Sequence, residues 1–258
     1  MLVGCSIHSR DLTNHQQELF TLPLLELEDY LDPDFAEHDH EALPLIQQQL
    51  EQYSGSLMLS GPYIDLNPGS PERLIIEATR QRFAQAHQFA RTLGMMEIVI
   101  LSSFLPIVYL SFYEEGWVTR SAAFWRSYLD SADPAITVSL GNTFEFSPDH
   151  LVRVVEAVNR PNLRLTFDLG HFLVYSKVDL ETWLRQIAPH CSTVYVHSNN
   201  GSIDTHDEPF TGVLRSEHLA QVAAALPATT RLLAKMSNKA TFAKSVQWIE
   251  DGIDQKKR

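Results

Sequence analysis

The residues able to do chemistry gather late in this sequence. Phe167-Asp168-Leu169-Gly170-His171 closes one apolar segment, and His197-Ser198-Asn199-Asn200-Gly201 closes the next. The loop that follows holds Asp204-Thr205-His206-Asp207-Glu208. Imidazoles and carboxylates are the groups that bind Zn²⁺ or Mn²⁺. Asp204 and His206 are two residues apart, so in an extended segment both side chains point to one side. His171 follows a glycine, which lets the chain turn a ligand inward. Taken singly, each is an ordinary hydrogen-bonded residue at a strand end. Taken together, His171, Asp204 and His206 predict a divalent metal site.

Something must bring these segments to one place. Eight short apolar runs serve as strands: Leu2–Ile7, Leu24–Tyr30, Ser56–Tyr63, Glu97–Ser102, Ile136–Leu140, Leu163–Leu169, Thr193–His197 and Arg231–Met236. Helical patterns fall between them, at Glu41–Tyr53, Ser70–Leu93, Trp117–Leu129, Ser147–Val158, Asp179–Ile187, Ser216–Leu226 and Lys239–Gly252. Ser70 and Pro71 read as N-cap and first helical residue, with Gly94 as the stop. Asp11–Pro23 is ambiguous. Eight strand–helix units in 258 residues average about 32 residues each, the spacing of an α/β (β/α)8 TIM barrel. A doubly wound sheet is the runner-up, but no Gly-rich phosphate loop follows Ile7. A barrel over residues 1–258, as one domain, requires functional residues at the C-terminal strand ends, where these candidates lie.

The chain carries 20 Lys+Arg against 32 Asp+Glu, a formal charge of −12. That balance opposes nonspecific binding to polyanions, so neither nucleic acid nor a membrane surface is the expected partner. A small-molecule ligand is; oligomerisation stays open. Cys5 and Cys191 are the two cysteines. With no signal-like N-terminus or membrane-length apolar run, they predict a reduced, cytoplasmic protein.

GPYIDLNPGSP, DLGH and VHSNNGSIDTHDE resemble the sugar phosphate isomerase/epimerase family, which has a xylose isomerase-like TIM barrel. The same superfamily holds the type IV apurinic endonucleases. The resemblance runs from about Gly55 to Met236 and implies metal at the C-terminal mouth. It also implies a depleted ligand set. Family histidines are replaced by Ser60 and Leu101, and the acid after the strand-seven His197 by Ser198. The leading Glu of the strand-five motif is Gly141, and the strand-eight Glu corresponds to Ala234. Glycine and alanine neither ligate nor transfer a proton, so the usual two-glutamate epimerase mechanism is not expected.

Asp168 and His197 remain from that set and are candidate catalytic residues. Glu145 is a third, either replacing the missing acid or sitting on the rim. His171, Asp204 and His206 match a His-Asp-His metal of the endonuclease relatives, which implies one Zn²⁺ or Mn²⁺ with an open position. Asn142, Asp65 and Asn67 are candidate substrate contacts; the last two would equally cap the helix near Ser70. Glu26 and Glu28 share a face of the second strand, as inward bases or a solvated edge. Lys235 is expected to point away from the barrel interior. Three functions follow: an isomerase- or epimerase-like enzyme on a sugar or sugar phosphate, a binding barrel that has lost catalysis, and, opposed by the charge, an apurinic endonuclease.

Overall fold

A computed structural model describes residues 1–108, 110 and 112–254. Its strands are β1 (Leu2–Ile7), β2 (Leu24–Leu27), β3 (Ser56–Ser60), β4 (Glu97–Leu101), β5 (Thr137–Gly141), β6 (Leu163–Asp168), β7 (Cys191–Val196) and β8 (Arg231–Ala234). Each pairs in parallel with its sequence neighbours, and β8 pairs with β1 to close the barrel. The predicted TIM barrel is therefore the observed one. Closure removes the unpaired edges that an open sheet leaves exposed.

Strand alternation separates two cores. Leu25, Leu27, Ile98, Ile100, Leu165 and Phe167 face the helix layer, while Leu24, Met58, Val99, Tyr195 and Leu233 meet inside the barrel. The helices are α1 (Leu12–Leu19), α2 (Pro33–Leu50), α3 (Arg73–Thr92), α4 (Tyr113–Leu129), α5 (Asp149–Val158), α6 (Leu169–Tyr175), α7 (Leu180–Ile187), α8 (Ser216–Ala225) and α9 (Phe242–Asp254). Their apolar faces bury Trp117, Trp125 and Trp183 almost completely. Each such side chain contributes roughly 1.5–3 kcal/mol of transfer free energy. None of the described helices is long and apolar enough to cross a membrane.

Several boundaries differ from expectation: α4 starts at Tyr113, four residues before Trp117, and α6, which the sequence pattern does not predict, follows β6 directly. The ambiguous Asp11–Pro23 stretch contains α1. Helix α2 begins eight residues before Glu41, because Asp32 accepts from the Asp34 amide and Pro33 fits the first turn. Helix α3 begins at Arg73, not at the predicted Ser70 cap. Ser70 Oγ instead accepts the Glu72 amide at 3.0 Å in a local turn, and Glu72 is the cap.

The phase of β8 is the correction that matters for function. Leu232 and Ala234 pack into the helix-facing core, whereas Leu233 and then Lys235 enter the barrel. Lys235 was expected to point outward and Ala234 to hold the inner position. Two inward carboxylates decide otherwise. Lys235 Nζ donates to Glu26 at 2.9 Å, to Glu28 at 3.3 Å and to Ser60 at 2.7 Å, and lies 4.4 Å from the centre of the Tyr195 ring. Tyr195 and Ser6 donate to Glu26, and Lys239 pairs with Glu28. Burial alone would favour a neutral Lys235, but Glu26 and Glu28 raise its pKa, so it is an ammonium.

Candidate metal centre

The site is assembled from the loops after β5, β6, β7 and β8. Asp168 ends β6 and caps α6, accepting the His171 amide at 2.8 Å. Asn142, just past β5, clamps Asp168 from the side. Its Oδ1 accepts the Asp168 amide at 2.8 Å, and its Nδ2 donates to the Asp168 carbonyl at 2.9 Å. His197 follows β7. Asp204 and His206 come from the loop beyond it, which Ser198 and Asp207 pin with a pair of backbone bonds. His206 has φ +50°, a conformation few non-glycine residues adopt. Such backbone is held by its surroundings and concentrates at functional sites.

The three imidazoles are all anchored from behind. His171 Nδ1 lies 2.8 Å from the Asn142 carbonyl, and His206 Nδ1 lies 2.9 Å from the Lys235 carbonyl. Carbonyls only accept, so these nitrogens carry the hydrogen and the Nε2 lone pairs point forward. His197 is reversed. Its Nε2 meets Asp168 Oδ1 at 2.9 Å, which leaves Nδ1 as the forward lone pair. The forward atoms converge on Asp204. His171 Nε2 is 2.9 Å and His206 Nε2 3.1 Å from Asp204 Oδ2, and His197 Nδ1 is 3.7 Å from Oδ1. One donor atom from each of these four residues lies within 4.8 Å of the others.

Acceptors gathered around an acceptor need a cation. His197 Nδ1, Asp204 Oδ1 and Asp168 Oδ2 are buried and without partners, each a costly state unless an ion or proton serves it. The donor set, imidazole nitrogens with carboxylate, suits Zn²⁺ or Mn²⁺, and back-anchored imidazoles are what a metal site uses to fix tautomers. The residues present therefore fit a divalent cation. With protons alone, burial opposes charge on His171, yet the Asp168 and Asp204 carboxylates lift its pKa to about 9. Burial also opposes ionisation of Asp204, but its contacts with His171 and His206 hold it far below the usual carboxylate range. Asp168 is held low in the same way by His171 and His197. Burial keeps His197 depressed and neutral.

The structure thus brings together His171, Asp204 and His206, with Asp168 beside them. It adds His197, which the sequence kept from the epimerase ligand set and offered as a catalytic candidate, as a fourth converging side chain. The other candidates are engaged with protein partners or lie at the surface. Glu145 is buried 3.6 Å from His150, and its Oε2 accepts the Thr143 amide. Asn142 spends its side chain on Asp168. Asn67 Oδ1 accepts from the Gly69 amide at 2.8 Å and Trp117 Nε1 at 3.0 Å, so it braces the loop after β3. Asp65 is exposed, with φ +61°. Lys235 was missed because RLLAKM alternates equally well in either phase; only the partners across the barrel choose.

Gly170 has a different reason from the one the sequence suggested. A Cβ there would run into the His197 imidazole. Gly170→Ala is therefore expected to displace His197 and weaken zinc binding roughly tenfold or more. Competition with a chromophoric chelator would measure this, with circular dichroism to confirm an intact fold.

The sequence matches the xylose isomerase-like TIM barrel family over residues 22–252, and the chain belongs to that family. A D-tagatose 3-epimerase-like protein superposes with TM-score 0.77 at 19% identity, covering 100% of both chains. A Thermus thermophilus protein soaked with ZnCl2 gives 0.78 at 22%, covering 99% of each. The IOLI protein with a binding zinc atom gives 0.76 at 13%, again covering 99% of each. An uncharacterized protein of Methanocaldococcus jannaschii is 23% identical over 163 residues, which span 60% of this chain and 56% of that one.

Proposed function

We propose that this protein is a metal-dependent, sugar isomerase- or epimerase-like enzyme that binds a sugar-like hydroxy-carbonyl compound at one divalent cation. The observation that carries the reading is the convergence of His171, His197 and His206 lone pairs on Asp204, with every opposite ring nitrogen anchored. A bound Zn²⁺ or Mn²⁺ would supply Lewis acidity toward the ligand oxygens. The chain's own part is to orient and to exclude water. Asp168 holds His197 in one tautomer, Asn142 holds Asp168, and the Lys235 carbonyl holds His206. Proteins of similar structure include named sugar epimerases and one with a binding zinc atom, which supports both the substrate class and the ion.

One observation favours a second reading, ligand binding without turnover. Neither Gly141 nor the inward Lys235 offers the carboxylate that the family places on those strands, and Glu145 is turned to His150. Proton exchange separates the two. Zn- or Mn-loaded protein incubated with ketoses in D2O is expected to place deuterium on the carbon next to the carbonyl, followed by NMR. Binding of ketoses without metal-dependent exchange would defeat the enzymatic reading.

A further inference from the structure

The barrel mouth has two unlike halves. On the β7, β8 and β2 side it is ionic, with the metal-ligand cluster, Lys235, Glu28 and Lys239. On the β4 and β5 side it presents more hydrocarbon, the polar side chains of Ser102, Asn142 and Thr143 being spent on backbone partners. Leu101 ends β4 and leans across Gly141, so that a Cβ on Gly141 would come within 2.8 Å of Leu101 Cδ2, with Val99 Cγ1 and Thr166 Cβ at 3.8 Å. Phe144, three residues beyond Gly141, is 41% exposed, and its ring meets Tyr175 edge-to-face at 5.1 Å. Tyr175 in turn lies 6.3 Å from the His171 ring. The apolar surface therefore starts at a metal-ligand side chain. Leu105 and Ile107, on the loop after β4, are also exposed, and Ser103 ties that loop to Leu66 in the loop after β3.

A bare sugar carries hydroxyls on every side. Against Leu101 and Phe144 they would lose water and find no partner, Thr166 Oγ1 beside Gly141 being a buried hydroxyl without one, so a bare ketose is held more weakly than one with an apolar substituent. We propose that the ligand is amphipathic, with two adjacent oxygens for the cation and an aromatic or alkyl body lying on Leu101, Phe144 and Tyr175. The proposal rests on the metal-centred reading and specifies its substrate class: a hydroxy-carbonyl compound bearing an apolar substituent. A second copy of the chain is a poorer occupant. Each copy carries a charge of −12, and a covering copy would seal the metal centre from its ligand.

Two hydroxamates test this, because both offer adjacent oxygens to a metal and differ in a methyl against a phenyl group. Zinc-loaded protein is titrated calorimetrically with acetohydroxamate and benzohydroxamate, with free zinc as the baseline for each. The expected result is benzohydroxamate tighter by about tenfold or more, as burial of one ring face implies. Phe144→Ala, at an exposed position, should shrink that ratio to about threefold or less. Equal affinities in the wild type would overturn the apolar face and leave the metal reading standing. Absence of zinc uptake would defeat the metal reading itself. A dimer in sedimentation that Phe144→Ala dissolves would assign the surface to self-association, and so overturn the proposal.

Discussion

His206→Ala is expected to lower zinc affinity by about a hundredfold or more, and Asp204→Asn to do the same. The reason is geometric. Asp204 Oδ2 is the atom on which His171 and His206 converge, at 2.9 and 3.1 Å, so its loss leaves three lone pairs with no common anion. His206 is held in a left-handed backbone conformation that puts its Nε2 there, and an alanine supplies no donor at all. Zinc content after dialysis, and calorimetric titration of apo protein, would measure the effect. Retention of wild-type affinity in both variants would count decisively against the centre. The binding should also depend on pH with a definite sign. Without metal, His171 has a pKa of about 9, so between pH 6 and 9 the cation must displace that proton. Apparent affinity should therefore rise by about tenfold per pH unit across that window for this one proton, and flatten above it.

The largest effect on stability is expected from Lys235→Met. The change leaves Glu26 and Glu28 facing each other inside the barrel with their shared cation gone. Breaking a buried pair in this way costs about 3–5 kcal/mol. The surrounding bonds explain why the effect is not local. The lysine side chain links β8 to β2 and β3, while its carbonyl orients His206. Urea denaturation would register the loss, and the double variant Lys235→Met with Glu26→Gln should recover part of it.

Acid provides an independent check. Burial opposes ionisation of Glu28, but Lys235 and Lys239 bring its folded pKa down to about 2, against 4.5 as its ordinary value. A depressed carboxylate stabilises the fold above its unfolded pKa and ceases to do so as pH falls through its folded one. The wild type should therefore lose this contribution between pH 4.5 and about 2. The Lys235→Met variant should show a shallower acid loss, since Glu28 has then lost its largest favourable partner.

Much of the fold was legible because its signals are local. Eight apolar runs at regular intervals specify strands, and amphipathic runs between them specify a helix layer, whatever the later contacts. The trio His171, Asp204 and His206 was legible for a related reason: in a parallel barrel all strand ends of one kind lie at one mouth, so sequence position already implies proximity. The role of His197 was half legible. Its place at a strand end follows from the sequence, but which of its nitrogens faces Asp204 depends on which one Asp168 occupies.

Asn142 and Glu145 show the opposite case. Both stand in one motif beyond β5, yet Asn142 braces Asp168 while Glu145 turns to His150, and nothing in their spacing separates those fates. Lys235 is the sharpest instance. Alternation fixes that Ala234 and Lys235 face opposite ways but not which faces in, because a period of two has two phases. The sequence by itself determined the closed barrel, the mouth and three of the candidate ligands, since these follow from periodicity and order along the chain. Only the tertiary structure decided the phase of β8 and the tautomers of the histidines. Those depend on partners across the barrel, Glu26, Ser60 and Asp168 among them, whose distances in space no local pattern encodes.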